Sequence, residues 1–63
     1  MKPLFVKRTE RAITITTEIP TEAELVGMIK TDQDERIRFH QAPDAPMTAA
    51  ELLQVVDFMQ DIQ

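Results

Sequence analysis

Thr21-Glu22-Ala23-Glu24-Leu25-Val26-Gly27-Met28-Ile29-Lys30 is the stretch on which the fold turns. At its left end, Thr21 and Glu24 form a T-x-x-E capping box, in which the hydroxyl and the carboxylate satisfy amides left orphaned at a helix start. At 100° per residue, Leu25, Val26, Met28 and Ile29 cover an arc of about 160°, with Ala23, Gly27 and Lys30 opposite. As a strand, the same residues offer no polar face. The periodicity therefore predicts a short helix over 21–30. Two features pull the other way. Gly27 inside a helix costs about 1 kcal/mol relative to alanine, and Asp32-Gln33-Asp34 has the composition of a turn joining 25–30 to 36–40 as a hairpin.

The chain on either side is easier to read. Towards the N-terminus, Leu4 and Val6 alternate with Phe5 and Lys7, and Ile13, Ile15 and Ile19 alternate with Thr14, Thr16 and Glu18. Period two with β-branched residues marks two strands. The link around Thr9 and Glu10 is short enough for a hairpin, although it lacks an Asn-Gly turn. Towards the C-terminus, Ile37 and Phe39 alternate with Arg36, Arg38 and His40 in a further strand. Pro43 and Pro46 interrupt regular structure. Thr48 and Glu51 then repeat the capping box and open a helix running to about Ile62.

The expected fold is α+β in the order ββαβα: a three-stranded antiparallel sheet with two helices on one face. Reading 25–30 as a strand gives the alternative, a four-stranded meander capped by the C-terminal helix. Residues 1–63 form a single domain in either case. A domain this short buries only about 60% of the surface its unfolded chain exposes, and no cysteine is present to add a disulfide. Stability then falls to a small, well-packed core or to an oligomer.

Charge is unevenly spread along a chain of net charge −4. Lys2, Lys7, Arg8 and Arg11 face a single acid, Glu10, in the first eleven residues; Lys30, Arg36 and Arg38 face the other ten acids beyond them. An acidic chain is repelled by nucleic acid on average, so nucleic-acid binding needs a concentrated basic face. No apolar run approaches the roughly 18 residues that span a bilayer, and the N-terminus has no signal-peptide h-region. With no cysteine, the expectation is a cytoplasmic protein without membrane contact.

Catalytic chemistry finds little to work with. Serine and cysteine are both absent, which removes the two commonest nucleophiles. One histidine, His40, supplies no multi-histidine metal site, and Gly27 as sole glycine excludes phosphate-cradling glycine loops. Asp32, Asp34 and Glu35 cluster, but Arg36 follows where a calcium loop needs further oxygen ligands. No catalytic residue, metal or cofactor is expected, and the function classes left are those of a binding protein.

Two surfaces are candidates. In the C-terminal helix, Ala49, Leu52, Leu53, Val55, Val56, Phe58, Met59 and Ile62 span about 220° of the wheel. A helix lying on one sheet needs an apolar arc of little more than about 100°. The surplus must meet either the first helix or a partner, and Val55, Phe58, Met59 and Ile62 are the expected partner contacts. The second surface is the sheet face turned away from the helices, with Phe5, Lys7, Arg36, Arg38 and His40 as an anion- or partner-binding patch. The leading expectation is a small non-enzymatic protein-interaction module, an adaptor, inhibitor or regulatory subunit that binds a protein partner or a second copy of itself. The second is a nucleic-acid-binding regulator using the basic sheet face.

Overall fold

A computed structural model describes residues 2–10 and 12–62; Arg11, counted above with the basic N-terminal segment, lies outside them. Four strands and one helix follow in order: β1 Leu4–Arg8, β2 Ile13–Thr16, β3 Leu25–Thr31, β4 Ile37–Gln41 and α1 Ala49–Ile62. All strand pairs are antiparallel, and the sheet order is β2-β1-β3-β4. The fold is therefore α+β with four strands and a C-terminal helix. The expected first helix over 21–30 is a turn followed by a strand, and the three-stranded, two-helix arrangement gives way to the four strands and C-terminal helix of the alternative, although the order is not that of a meander, because β1 lies between β2 and β3.

The physical reason lies in the position of β3. It is an inner strand, paired with β1 on one side and β4 on the other. Inner strands need no fully polar face, because neighbouring side chains shelter both sides. Leu-Val-Gly-Met-Ile thus reads as a strand once its neighbours are in place. The capping pair is real but local. Leu25 N donates to Thr21 O at 3.0 Å and Glu24 N to the same oxygen at 3.1 Å, closing one turn. The Thr21 hydroxyl donates to Glu24 Oε1 at 2.8 Å, and no amide among the described residues donates to it.

Gly27 also finds its explanation in the sheet. Its φ is unremarkable; space is the constraint. A β-carbon at 27 would fall on the ring of Phe39, from the neighbouring strand, and 2.9 Å from the His40 carbonyl oxygen. The glycine is the slot into which Phe39 lies. One residue earlier, Val26 is the extra residue of a bulge between the pairs Val6–Gly27 and Lys7–Leu25. Its carbonyl accepts from Ala42 N at 3.0 Å, extending the β3–β4 ladder past the end of β4.

Two turns set the strand register. Thr9 donates from both its amide and its hydroxyl to Ala12 O, each at 2.9 Å, closing the β1–β2 hairpin. In the β3–β4 hairpin, Glu35 N donates to Asp32 O at 3.1 Å and Glu35 takes a φ of 61°. This is a type I turn followed by a left-handed residue, a pattern in which glycine usually stands. The turn that Asp32-Gln33-Asp34 suggested is thus present, with glutamate rather than glycine at its left-handed position.

The core is small. Val6, Ile13, Val26, Ile29 and Val55 are buried, with Leu4, Ile15, Ile37, Phe39, Met47, Phe58 and Met59 packed around them. Each such aliphatic side chain contributes roughly 1.5–3 kcal/mol when fully buried. α1 covers one face of the sheet. On the opposite face, Phe5 pairs with Thr16 and Met28, Lys7 with Thr14, Met28 with His40, and Lys30 with Arg38. Among the described residues, no helix is long and apolar enough to cross a membrane.

Candidate functional site

The outer flank of α1 is the first surface. Thr48 caps the helix: Glu51 N donates to its hydroxyl at 3.2 Å, Leu52 N to its carbonyl at 3.0 Å, and Thr48 N returns a bond to Glu51 Oε1 at 2.9 Å. The same carboxylate receives a two-pronged bond from Arg8 of β1, Nε to Oε2 at 2.9 Å and Nη2 to Oε1 at 2.8 Å. Arg8 Nη2 also donates to Pro46 O at 2.7 Å. This guanidinium ties β1, the 42–48 connection and the helix start together. Its hydrogen bond, with that of the Thr48 amide, holds the Glu51 carboxyl below the usual carboxylate range, while Glu51 raises the Arg8 pKa.

So anchored, α1 turns one stripe inward. Val55 is 1% exposed, and Phe58 and Met59 pack on the core. The sequence had offered these three, with Ile62, as partner contacts. The structure puts Val55, Phe58 and Met59 against the sheet and leaves only Ile62 at the edge, 36% exposed. The surplus arc falls elsewhere. Leu53 is 62% exposed and Val56 45%, one turn apart on the flank beside the inward stripe. The segment expected as the helix to cover them is strand β3. The width of the arc carried the signal, and the missing information was which edge of it met the sheet.

The second surface is the open sheet face. Phe5 and Met28 are half-buried at its centre, and Lys30, Arg38 and His40 are exposed around them. Arg36 lies just before β4, exposed at the hairpin end. Met28 and Lys30 join the patch because 25–31 is a strand, which the helical reading had hidden. Two of the cations have partners. Lys7 Nζ is 3.9 Å from Glu24 Oε2, and Arg38 Nε pairs with Asp32 Oδ2. Asp32 further accepts from Asp34 N at 2.9 Å and Arg36 N at 3.1 Å. Desolvation works to raise the Asp32 pKa, but Arg38 and these two amides together outweigh it, so the carboxyl is held low.

No protein-family model, curated protein or solved structure matches this chain.

Two concavities lie among the described residues. A depression of about 390 Å³ is lined by Glu22, Leu25, Ala42, Pro43, Asp44 and Ala45. Its two carboxylates sit with apolar neighbours and no histidine, lysine or hydroxyl faces them there. A second, of about 220 Å³, includes Arg8 and Glu51, which are occupied with each other. Among the described residues, no three metal-ligating side chains converge, and no buried side-chain polar atom lacks a hydrogen-bond partner.

Proposed function

We propose that this chain is a small non-enzymatic protein-interaction module, an adaptor, inhibitor or regulatory subunit, which self-associates through the outer flank of α1. The observation that carries the reading is the exposure of Leu53 and Val56, 62% and 45%, side by side on a helix whose other apolar stripe is already occupied by the sheet. Single exposed apolar residues are ordinary, but Leu53 and Val56 adjoin on one flank of the helix and form an apolar patch suited to a partner. The small core supports the same reading, since domains of this size often gain stability from a partner subunit. A cytoplasmic setting belongs to the proposal and is supported by the lack of cysteine.

Nucleic-acid binding by the open sheet face is the second reading, favoured by Phe5 beside Lys30, Arg38 and His40. It is the weaker of the two. Phosphate tracking needs several cations at once, and both Lys7 and Arg38 already face carboxylates of the same chain.

Sedimentation velocity from micromolar to near-millimolar concentration tests the proposal. Association of the natural chain, lost in Leu53→Asp with circular dichroism unchanged, is the expected result. A compact monomer at every concentration would remove self-association as the function.

A further inference from the structure

We infer that self-association runs head to tail, the outer flank of α1 in one copy docking on the open sheet face of the next. The inference rests on the self-association reading and adds its geometry and its consequence.

The two surfaces are complementary in charge and in apolar content. α1 contains no basic residue over its 14 positions. Its outward side presents Leu53 and Val56 with exposed Asp57 and Asp61 beside them. The open sheet face has the inverse layout. Phe5 and Met28 form an apolar centre, and Lys30 and His40 stand exposed at its margin. Lys30 has no ion-pair partner among the described residues. A partner helix brings only a few carboxylates, so these margins suffice where a phosphate backbone would demand more.

Sizes agree as well. A 14-residue helix is about 21 Å long. Four strands at about 4.8 Å spacing make a bed wide enough to receive it. Within the monomer the other face of the same sheet already carries one helix, so a second helix from a neighbour repeats a packing the fold demonstrates.

The alternative within self-association is a two-fold pairing of α1 with α1. That arrangement brings Asp57 and Asp61 of one copy towards those of the other, on helices that have no cation to neutralise them. Like charges facing across an interface oppose it. A head-to-tail contact removes that conflict. It also does not close on itself unless the rotation forms a ring, so assemblies grow beyond the dimer. Because opposite charges face each other at an exposed rim, association weakens as ionic strength rises.

The experiment uses two full-length variants, each blocking one surface. Leu53→Asp blocks the helix flank, and the double variant Lys30→Glu/His40→Glu reverses the charge of the sheet face. Circular dichroism and urea unfolding establish that both are folded. In sedimentation velocity each variant alone should be monomeric where the natural chain associates. An equimolar mixture should form a one-to-one complex that grows no further, since only one competent pair of surfaces remains. That complex should dissociate when salt is raised from about 50 mM to about 500 mM.

Four results overturn the inference. If the sheet-face variant associates as the natural chain does, self-association stands but the contact is helix to helix. If folded variants stay monomeric in mixture, the two surfaces do not meet. If that sheet-face variant loses binding to a fluorescent single-stranded oligonucleotide while its self-association is unchanged, the face belongs to nucleic acid. A natural chain that is monomeric throughout removes the self-association reading itself, and this inference with it.

Discussion

Thr21 and Glu24 stand in the same relation as Thr48 and Glu51, yet the first pair opens a single turn and the second a 14-residue helix. The difference begins at the hydroxyl. Thr48 accepts from the Glu51 amide, while Thr21 gives its proton to the Glu24 carboxylate. It continues in what the glutamate touches. Glu51 is gripped by Arg8 at 2.8 and 2.9 Å, which fastens the helix start to the sheet. Glu24, apart from the Thr21 hydroxyl, has among the described residues the lysine of β1 at 3.9 Å. Beyond the boxes, Leu52 to Ile62 lays one stripe on a sheet already formed, whereas Leu25 to Thr31 is needed between β1 and β4 to make that sheet. A capping box nucleates a turn; whether the turn propagates depends on which partners the next residues satisfy.

The largest expected effect tests the strand side of this comparison. If 21–30 were helical, Gly27→Ala would stabilise the fold by about 1 kcal/mol. In the sheet the added carbon meets Phe39 and the His40 carbonyl, and overpacking of this kind costs about 1–3 kcal/mol. Urea unfolding should show a clear loss, at the upper end of that range because backbone as well as ring must shift. A gain in stability would break the assignment of β3.

The two threonines give the next test. Thr48→Ala removes a working N-cap and should cost about 1 kcal/mol. Thr21→Ala breaks only a side-chain bond within an exposed turn, and should cost less than about half as much. Thermal unfolding of both variants measures the contrast. Equal losses would mean that the two boxes do the same work and that the difference between the regions lies wholly downstream.

Much of this architecture is readable without coordinates, and the exceptions have causes. The alternations of Leu4–Lys7 and Ile37–His40 report strands with one sheltered face, that of Ile13–Ile19 reports β2 but runs past its end at Thr16 to an Ile19 that is 83% exposed, and the C-terminal helix announces both its cap and its excess apolar arc. Residues 25–31 are illegible because an inner strand imposes no period on itself: its environment comes from β1 and β4, far away in sequence. Asp32-Gln33-Asp34 signals the β3–β4 turn, but Glu35 stands where a glycine would have made that signal decisive. For the same reasons the candidate surfaces were half legible. The basic residues of β4 were assigned to the right face, while Met28 and Lys30 could join them only once β3 existed. On α1 the wheel fixed the width of the apolar arc, but its orientation follows from Arg8 seizing Glu51, a contact across 43 positions that no local pattern encodes.

That contact yields the smallest and most specific prediction. The Glu51 carboxyl is held below its ordinary range in the folded state, first by Arg8 and then by the Thr48 amide. The unfolded chain therefore binds the proton more tightly, and stability rises with pH through this interval. The contribution is complete above the pKa of an unperturbed glutamate, about 4.3, and is lost as pH falls through the lower folded-state value. Glu51→Gln keeps a hydrogen-bonding side chain but has no charge to lose. Its unfolding midpoint should lie below that of the natural chain at neutral pH, and the gap should narrow as both are taken into acid. A gap that stays constant from neutral pH to about pH 2 would mean that the Arg8–Glu51 pair contributes shape rather than charge. The contrast with Glu24 would then rest on geometry alone.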